Sequence, residues 1–276
     1  MSSPASILIL GGGPAGMAAA MELSRKDITS TVVEKASMVG GLAKTLEFQR
    51  PEGTYRTDIG PHRFFSKNKY LYDFIEDLLG EEWKTVNRLT RFYVDGKYYF
   101  YPVRLGNVLL QMGPMRACRV LIDFLYEKVR KAVAPRAINS FEDYAVSNFG
   151  RSLAEFNMLN YTEKIWGIPC TRISKDWALQ RIGGLSIGAT LKKIFLKNTS
   201  AKSLVDIFYY PEFGSGTIYE AIVKRIREKG SIVMTNSEPT KLRWEGKRVT
   251  GVDVKTADGQ KSYAPDAVIS SVSVTQ

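Results

Sequence analysis

The chain opens on a four-residue apolar run, ILIL at 7–10, which gives way to three glycines and then to PAGMAAAMELSR, whose apolar positions recur at helical spacing. A second apolar run, TVV, follows and stops on Glu34. Short apolar runs bounded by turn residues predict buried strands, and the three- and four-residue spacing between them predicts an amphipathic helix, so Ile7 to Glu34 is expected to form a strand, a helix and a second strand. The next segment, ASMVGGLAKTLEFQ, carries a glycine pair, Gly40 and Gly41, before another extended run, and TYRTDIGPHRFFS is expected to turn at Asp58, Gly60 and Pro61. From about Tyr70 to Ile194 the pattern is mainly helical. It is interrupted by RFYVDGKYYFYPV, where Asp95 and Gly96 supply a two-residue hairpin turn. A helical stretch that includes Phe141 to Asn160 ends near Gly167 and Pro169. Strands return in the last quarter: SIVMT as a third parallel strand, then three short strands with tight turns, then the apolar DAVISS.

This order predicts an α/β chain in which a discontinuous nucleotide-binding domain, a parallel sheet plus a small β-meander, is split by a mainly helical insert. The expected boundaries are 1–72 for the first part, 73–202 for the insert and 203–276 for the second part.

The glycines after the first strand have a specific chemistry. In GGGPAG, Gly11 permits the tight turn, Gly13 lets the backbone approach a pyrophosphate, and Gly16 lets the helix pack close to the sheet, with Pro14 and Ala15 opening the helix. The helix start attracts phosphate charge. Glu34, at the end of the second strand, is placed to hold ribose hydroxyls and would repel a 2′-phosphate, which favours FAD or NAD over NADP. A second glycine loop directly after the second strand is unnecessary for an ordinary NAD dehydrogenase, whereas an extended FAD needs more backbone along its pyrophosphate and ribityl chain. FAD is therefore the expected cofactor.

Composition narrows the setting. The 276 residues are 44% hydrophobic and 24% charged, an ordinary soluble balance, and apolar runs fall well short of a membrane span. Nothing in the N-terminal run has the form of a signal peptide, so the expected location is cytoplasmic, or peripheral to the inner face of the membrane. Two distant cysteines and one histidine argue against dithiol chemistry and against a metal site. A net charge of +11 points to an anionic small-molecule substrate, a nucleotide-sugar or a prenyl or lipid-like phosphate. Between Arg104 and Arg136, seven Arg or Lys face two acids along a basic amphipathic stretch. A solvated helix face around a core stripe is its plainest reading, with peripheral membrane contact through 104–136 the second. No nucleic-acid motif is present, and the sequence is silent on oligomeric state.

Several segments together resemble the flavoprotein oxidoreductases that include monoamine oxidases, protoporphyrinogen oxidases, phytoene desaturases and UDP-galactopyranose mutases. GGGPAG with Glu34 and Lys35 is similar to that family's FAD-binding start. VGGLAKT is similar to its glycine-pair motif, with Met38 and Leu42 at positions where arginines are usual and Thr45 kept. DIGPHRFF resembles the mutase segment in which Gly60, Pro61 and His62 would face the flavin. YTEKIWG resembles a mutase motif carrying Tyr161, Lys164 and Trp166, and FYYPEFGSG a cofactor-side element with Glu212 where an arginine is usual. The mutase-like branch is the nearest in pattern. In that family the chain continues past the strand similar to DAVISS and closes over the flavin, so the resemblance implies that this chain, ending at SVSVTQ, is truncated and lacks one wall of the site.

The resemblance makes His62 a candidate catalytic group, and Arg63 is a second as a bidentate binder of phosphate or carboxylate. The resemblance assigns Gly11, Gly13, Pro14, Ala15, Gly16, Glu34, Lys35, Gly40, Gly41, Leu42, Thr45, Gly60, Pro61 and His62 to the cofactor, and Tyr161, Lys164, Trp166, Tyr209 and Tyr210 to the substrate. The plainer readings are a turn histidine bonded to backbone, a surface arginine, and aromatics in the core. Three functions stay open: a FAD-dependent oxidoreductase, redox-neutral in the mutase manner on a nucleotide-sugar or not; an NAD-linked dehydrogenase; and a non-catalytic module that keeps the fold without the flavin.

Overall fold

A computed structural model describes residues 6–273 apart from 61, 65, 67, 101–104 and 183–206. The chain forms two compact units, Met1–Asn87 with Asp206–Gln276, and Arg88–Val205.

In the first unit β1 (Ile7–Leu10), α1 (Pro14–Arg25) and β2 (Ser30–Val33) make the expected strand–helix–strand. They are followed by an antiparallel hairpin of β3 (Thr45–Arg50) and β4 (Gly53–Asp58), by α2 (Lys69–Leu79) and by β5 (Trp83–Asn87). The second unit begins with the hairpin of β6 (Arg91–Val94) and β7 (Lys97–Phe100), turning at Asp95 and Gly96 as expected. Its helices are α3 (Leu105–Met112), α4 (Pro114–Val133), α5 (Phe141–Phe149), α6 (Arg151–Ala154), α7 (Asn160–Trp166) and α8 (Lys175–Ile182). The first unit resumes with β8 (Ile207–Pro211), α9 (Gly216–Glu228), β9 (Ile232–Met234), β10 (Glu238–Glu245), β11 (Arg248–Thr256), β12 (Gly259–Tyr263) and β13 (Ala267–Ser270).

Four strands form one parallel sheet in the order β13, β1, β2, β9, and β10, β11 and β12 form the antiparallel meander. The period of two along β1 sorts the core into layers. Ile9 points to the helical side with Val32, Met17, Met21, Ile222 and Ile226, whereas Leu8 and Leu10 point the other way onto Val252 and Val254 of the meander. Each of these side chains is buried, and each contributes roughly 1.5–3 kcal/mol against exposure. Both faces of the sheet are covered, which is why its strands read as apolar runs rather than as alternation.

The insert boundary differs from expectation. Residues 73–87 belong to the first unit, because Phe74 and Leu78 of α2 pack on its core and β5 pairs antiparallel with β8, Trp83 opposite Pro211 through Asn87 opposite Ile207. The expected boundary at 202–203 lies outside the described residues.

The second unit has its own core. Tyr99, Val108, Val120, Phe124, Phe149 and Leu153 form one cluster, and Phe141, Ala145, Leu159, Cys170 and Ile173 a neighbouring one. A capping box starts α5: Asp143 N–H donates to Ser140 Oγ, and Ser140 N–H donates back to Asp143 Oδ2. Among the described residues no helix is long and apolar enough to cross a membrane.

Gly150, between α5 and α6, sits at φ 78° and ψ 155°, and a Cβ there would lie 2.8 Å from Phe124 N and 2.9 Å from Asp123 C of α4. Backbone strain and the clash act together, so Gly150→Ala should destabilise the second unit by about 3 kcal/mol in denaturant unfolding. A loss under about 0.5 kcal/mol would show that α4 and α6 are not so closely apposed.

Candidate functional site

The site begins where β1 ends. Gly11 N–H donates the last ladder bond to Val33 O at 2.8 Å, and its φ of 96° then turns the chain off the strand. A Cβ on Gly16 would stand 1.9 Å from Gly11 O, so the first turn of α1 is pressed onto the loop as only glycine allows. Pro14 supplies the first helical position and Gly13 the N-cap, which has no side-chain cap bond. The first amides of α1 thus take no cap from a side chain at the N-cap.

Glu34 closes one side. Its Oε2 accepts from Gly12 N–H at 2.7 Å and its Oε1 from Ala36 N–H at 2.8 Å, which fixes the carboxylate beside the loop at the end of β2. Lys35 points elsewhere, exposed and paired with Glu238 at 2.7 Å.

The glycine pair closes the other. Gly40, at φ 101°, donates its N–H to Gly12 O at 2.7 Å, and Gly41 opens a 3-10 turn to Ala43. A Cβ on Gly41 would lie 3.2 Å from Gly13 Cα. Two glycine loops therefore meet backbone to backbone. Leu42, 75% exposed, stands beside them, and its carbonyl takes a bond from His62.

His62 Nε2 lies 2.9 Å from Leu42 O and 2.9 Å from Ile59 O. Both partners are acceptors, so Nε2 carries the proton and His62 braces the glycine-pair loop against the turn after β4. Arg63 is exposed, with its guanidinium over the Phe208 ring at 5.2 Å. Gly60 is exposed, and Pro61 lies outside the described residues.

Thr45 and Tyr210, expected at cofactor and substrate, meet at Asp58. The Asp58 carboxylate accepts from Thr45 Oγ1 at 2.5 Å, from Ser215 Oγ at 2.5 Å, from Ser215 N–H at 3.0 Å and from the Tyr210 hydroxyl. Gly216 N–H donates to Thr45 Oγ1 at 2.8 Å, and a Cβ on Gly214 would fall 2.3 Å from the same oxygen. This node joins the foot of the glycine-pair loop to the start of α9. Burial works against the charged form of Asp58, but the bonds from Ser215, Thr45 and Tyr210 outweigh it and hold the carboxyl below its ordinary range. Burial first, and the Asp58 carboxylate second, push Tyr210 up to about 12.

Tyr209 packs in an aromatic cluster of the first unit, stacked on Trp83 and edge-on to Tyr72. Tyr161, Lys164 and Trp166 belong to the second unit, exposed on α7, with Trp166 edge-on to Trp177. Cys170 is buried there, its thiol pushed up to about 11 by burial.

Sequence inspection missed Ser215 and Ser271 and treated Asp58 as a turn residue. Ser271, just past β13, lies with its hydroxyl 3.1 Å from Leu10 O and 3.2 Å from Gly11 O. It marks the place where the ends of β1 and β13 meet the first glycine loop, with α1 covering one face of the sheet and the meander that precedes β13 covering the other. The serine in GSG and the polar end of DAVISS were the available signals.

Residues 9–78 match the family of NAD(P)-binding Rossmann-like domains. A stretch of 35 residues is 57% identical to hydrogen cyanide synthase subunit HcnB of Pseudomonas protegens, covering 13% of this chain and 8% of that protein. In structure, the chain is similar to reduced UDP-galactopyranose mutase (TM-score 0.78, 21% identity, 97% of this chain and 55% of that one). It is also similar to a protoporphyrinogen-oxidase-like protein of Exiguobacterium (TM-score 0.65, 18% identity, 98% and 60%) and to an oxidoreductase of Methanosarcina mazei (TM-score 0.56, 14% identity, 96% and 58%). The chain thus spans a little over half the length of these structures. The fold is a Rossmann-like parallel sheet with a helical insertion, of the kind that binds a flavin or nicotinamide cofactor.

Because the folded-state value of Asp58 is lowered, its stabilising contribution is complete above the ordinary carboxylate range and is lost as pH falls through the lowered value. Asp58→Asn should cost on the order of 2 kcal/mol at neutral pH, and its stability should decline less steeply than that of the parent below about pH 4. Parallel pH–stability curves for the two proteins would remove the node from the fold's acid sensitivity.

Proposed function

We propose that this chain carries the adenosine-diphosphate half of a FAD site in a flavin-dependent oxidoreductase. Gly13 is the observation that carries the reading. Its backbone, at φ −74° and ψ −177°, suits any residue, and a Cβ there would meet nothing closer than Gly41 Cα at 3.9 Å. The fold does not demand glycine at this position, whereas a pyrophosphate lying on the backbone does. The space a Cβ would fill is walled by α1 on one side and the glycine-pair loop on the other, which fits an extended dinucleotide.

Within this reading each residue has a task. Backbone amides at the start of α1 hold the pyrophosphate, and Glu34, fixed by Gly12 and Ala36, accepts from the ribose hydroxyls. His62 keeps the glycine-pair loop in place through Leu42 O. Asp58 and Thr45 hold the same loop from its other end. When bound, FAD supplies the capacity for two-electron transfer. Likeness of fold to UDP-galactopyranose mutase and the basic net charge support a second, finer reading, a redox-neutral isomerisation of a nucleotide-sugar.

Purified protein titrated with FAD should quench flavin fluorescence to saturation, with FMN, which lacks the adenosine half, competing poorly. Gly13→Val should cost about 1 kcal/mol of stability as a poorer cap, yet lower FAD affinity roughly a hundredfold or more. Glu34→Ala should lower it about tenfold or more. NAD binding without FAD binding would replace the flavin reading by a dehydrogenase, and absence of both would leave a cofactor-free module. For the finer reading, reduced protein and UDP-galactopyranose should yield the ring-contracted isomer; a flavin-loaded, reducible protein that forms none would contradict it.

A further inference from the structure

We infer that the outer face of α4 is a docking surface for an anionic lipid bilayer. The apolar residues of this helix divide between two opposite faces. Val120 and Phe124 are buried in the core of the second unit. Met115, Ile122, Leu125, Tyr126, Val129 and Val133 line the opposite side, at three- and four-residue spacing, and all are exposed, Ile122 at 64% and Val133 at 79%. From Met115 to Val133 this stripe runs about 27 Å. A helix that is apolar on the side away from its own core has a second apolar environment to meet.

Charge identifies that environment. Arg116 and Arg119 flank the stripe on one side and Lys128 on the other, all exposed. Both acids of α4 are turned away: Glu127 is buried and bonded to Arg130, and Asp123 accepts from Ser152. Arg116 is paired with Asp95 at 2.5 Å, an exposed acid on the hairpin turn. An apolar stripe with a basic border and no acid of its own on the outer face has the composition of a helix lying in the headgroup region of a bilayer. A second copy of this chain is a poor partner, because two such faces would bring basic borders together in a protein of net charge +11.

The test uses the purified chain with vesicles of pure phosphatidylcholine and vesicles containing one-third phosphatidylglycerol. Cosedimentation is expected with the second and not the first, weakening with salt. Arg119→Gln and Lys128→Gln should each lower the partition coefficient roughly fivefold, and Ile122→Asp with Val129→Asp should abolish binding while far-UV circular dichroism stays unchanged. A readout that needs no substitution is available at Cys118, which is exposed on α4, while Cys170 is buried with its thiol pushed up to about 11. An environment-sensitive thiol dye should therefore label Cys118 selectively, and its emission should shift to the blue on anionic vesicles. No association with anionic vesicles and no dye shift would overturn the proposal. So would a dimer that does not bind vesicles and is split by the Ile122 and Val129 substitutions, since a second copy would then cover the stripe.

Discussion

One contact sets the geometry of the candidate site: the 2.7 Å bond from Gly40 N–H to Gly12 O, which draws two glycine loops together. Gly41 has little room for a side chain there, since a Cβ on it would press on Gly13 Cα at 3.2 Å and its φ is 55°. Two helix starts, that of α1 and that of the 3-10 turn after Gly40, are thereby held side by side at the carboxyl end of the parallel sheet. In the proposed reading the uncapped amides at the start of α1 face the pyrophosphate, a contact that needs no charged side chain.

That contact is braced from both sides of the loop. Glu34 ties Gly12 to the end of β2, and the Asp58 node ties Thr45 to Ser215 and Gly216 at the start of α9. These bonds join residues far apart in sequence, Asp58 to Ser215 across the whole helical insert. An insert can be tolerated there because it leaves and returns beside the pairing of β5 with β8, on the unit that keeps the sheet. The glycines thus divide by role: Gly16 and Gly214 stand where a Cβ would clash with the chain itself, whereas a Cβ on Gly13 would make only an ordinary contact, with Gly41 Cα at 3.9 Å.

Much of this was legible in the residues. ILIL, GGGPAG and TVVE specify a buried strand, a helix start and an acid by local rules alone, and Asp95–Gly96 specifies a hairpin turn in the same way. The pairing of β5 with β8 was not legible, because the register of two strands more than a hundred residues apart depends on tertiary packing that no local pattern records. Asp58 was read as a turn former, since a short acid before Ile-Gly-Pro is common in turns. Its role appears only when Thr45, Tyr210 and Ser215 are brought to it. His62 carries a contact that the motif likeness does not record, with Nε2 bonded to the carbonyls of Leu42 and Ile59. The periodicity of α4 allows a core stripe or a membrane-facing one, and the fold divides its apolar residues between the two sides of the helix, Val120 and Phe124 in the core and Ile122 and Val129 exposed.

In the proposed reading, backbone at two glycine loops and the carboxylate of Glu34 together recognise an adenosine diphosphate bearing an unphosphorylated ribose. Displacement of bound FAD by fragments measures this most directly. ADP-ribose should compete, whereas its 2′-phosphorylated form and FMN should compete far more weakly. Equal competition by the 2′-phosphorylated form, or displacement by FMN in preference to ADP-ribose, would contradict it.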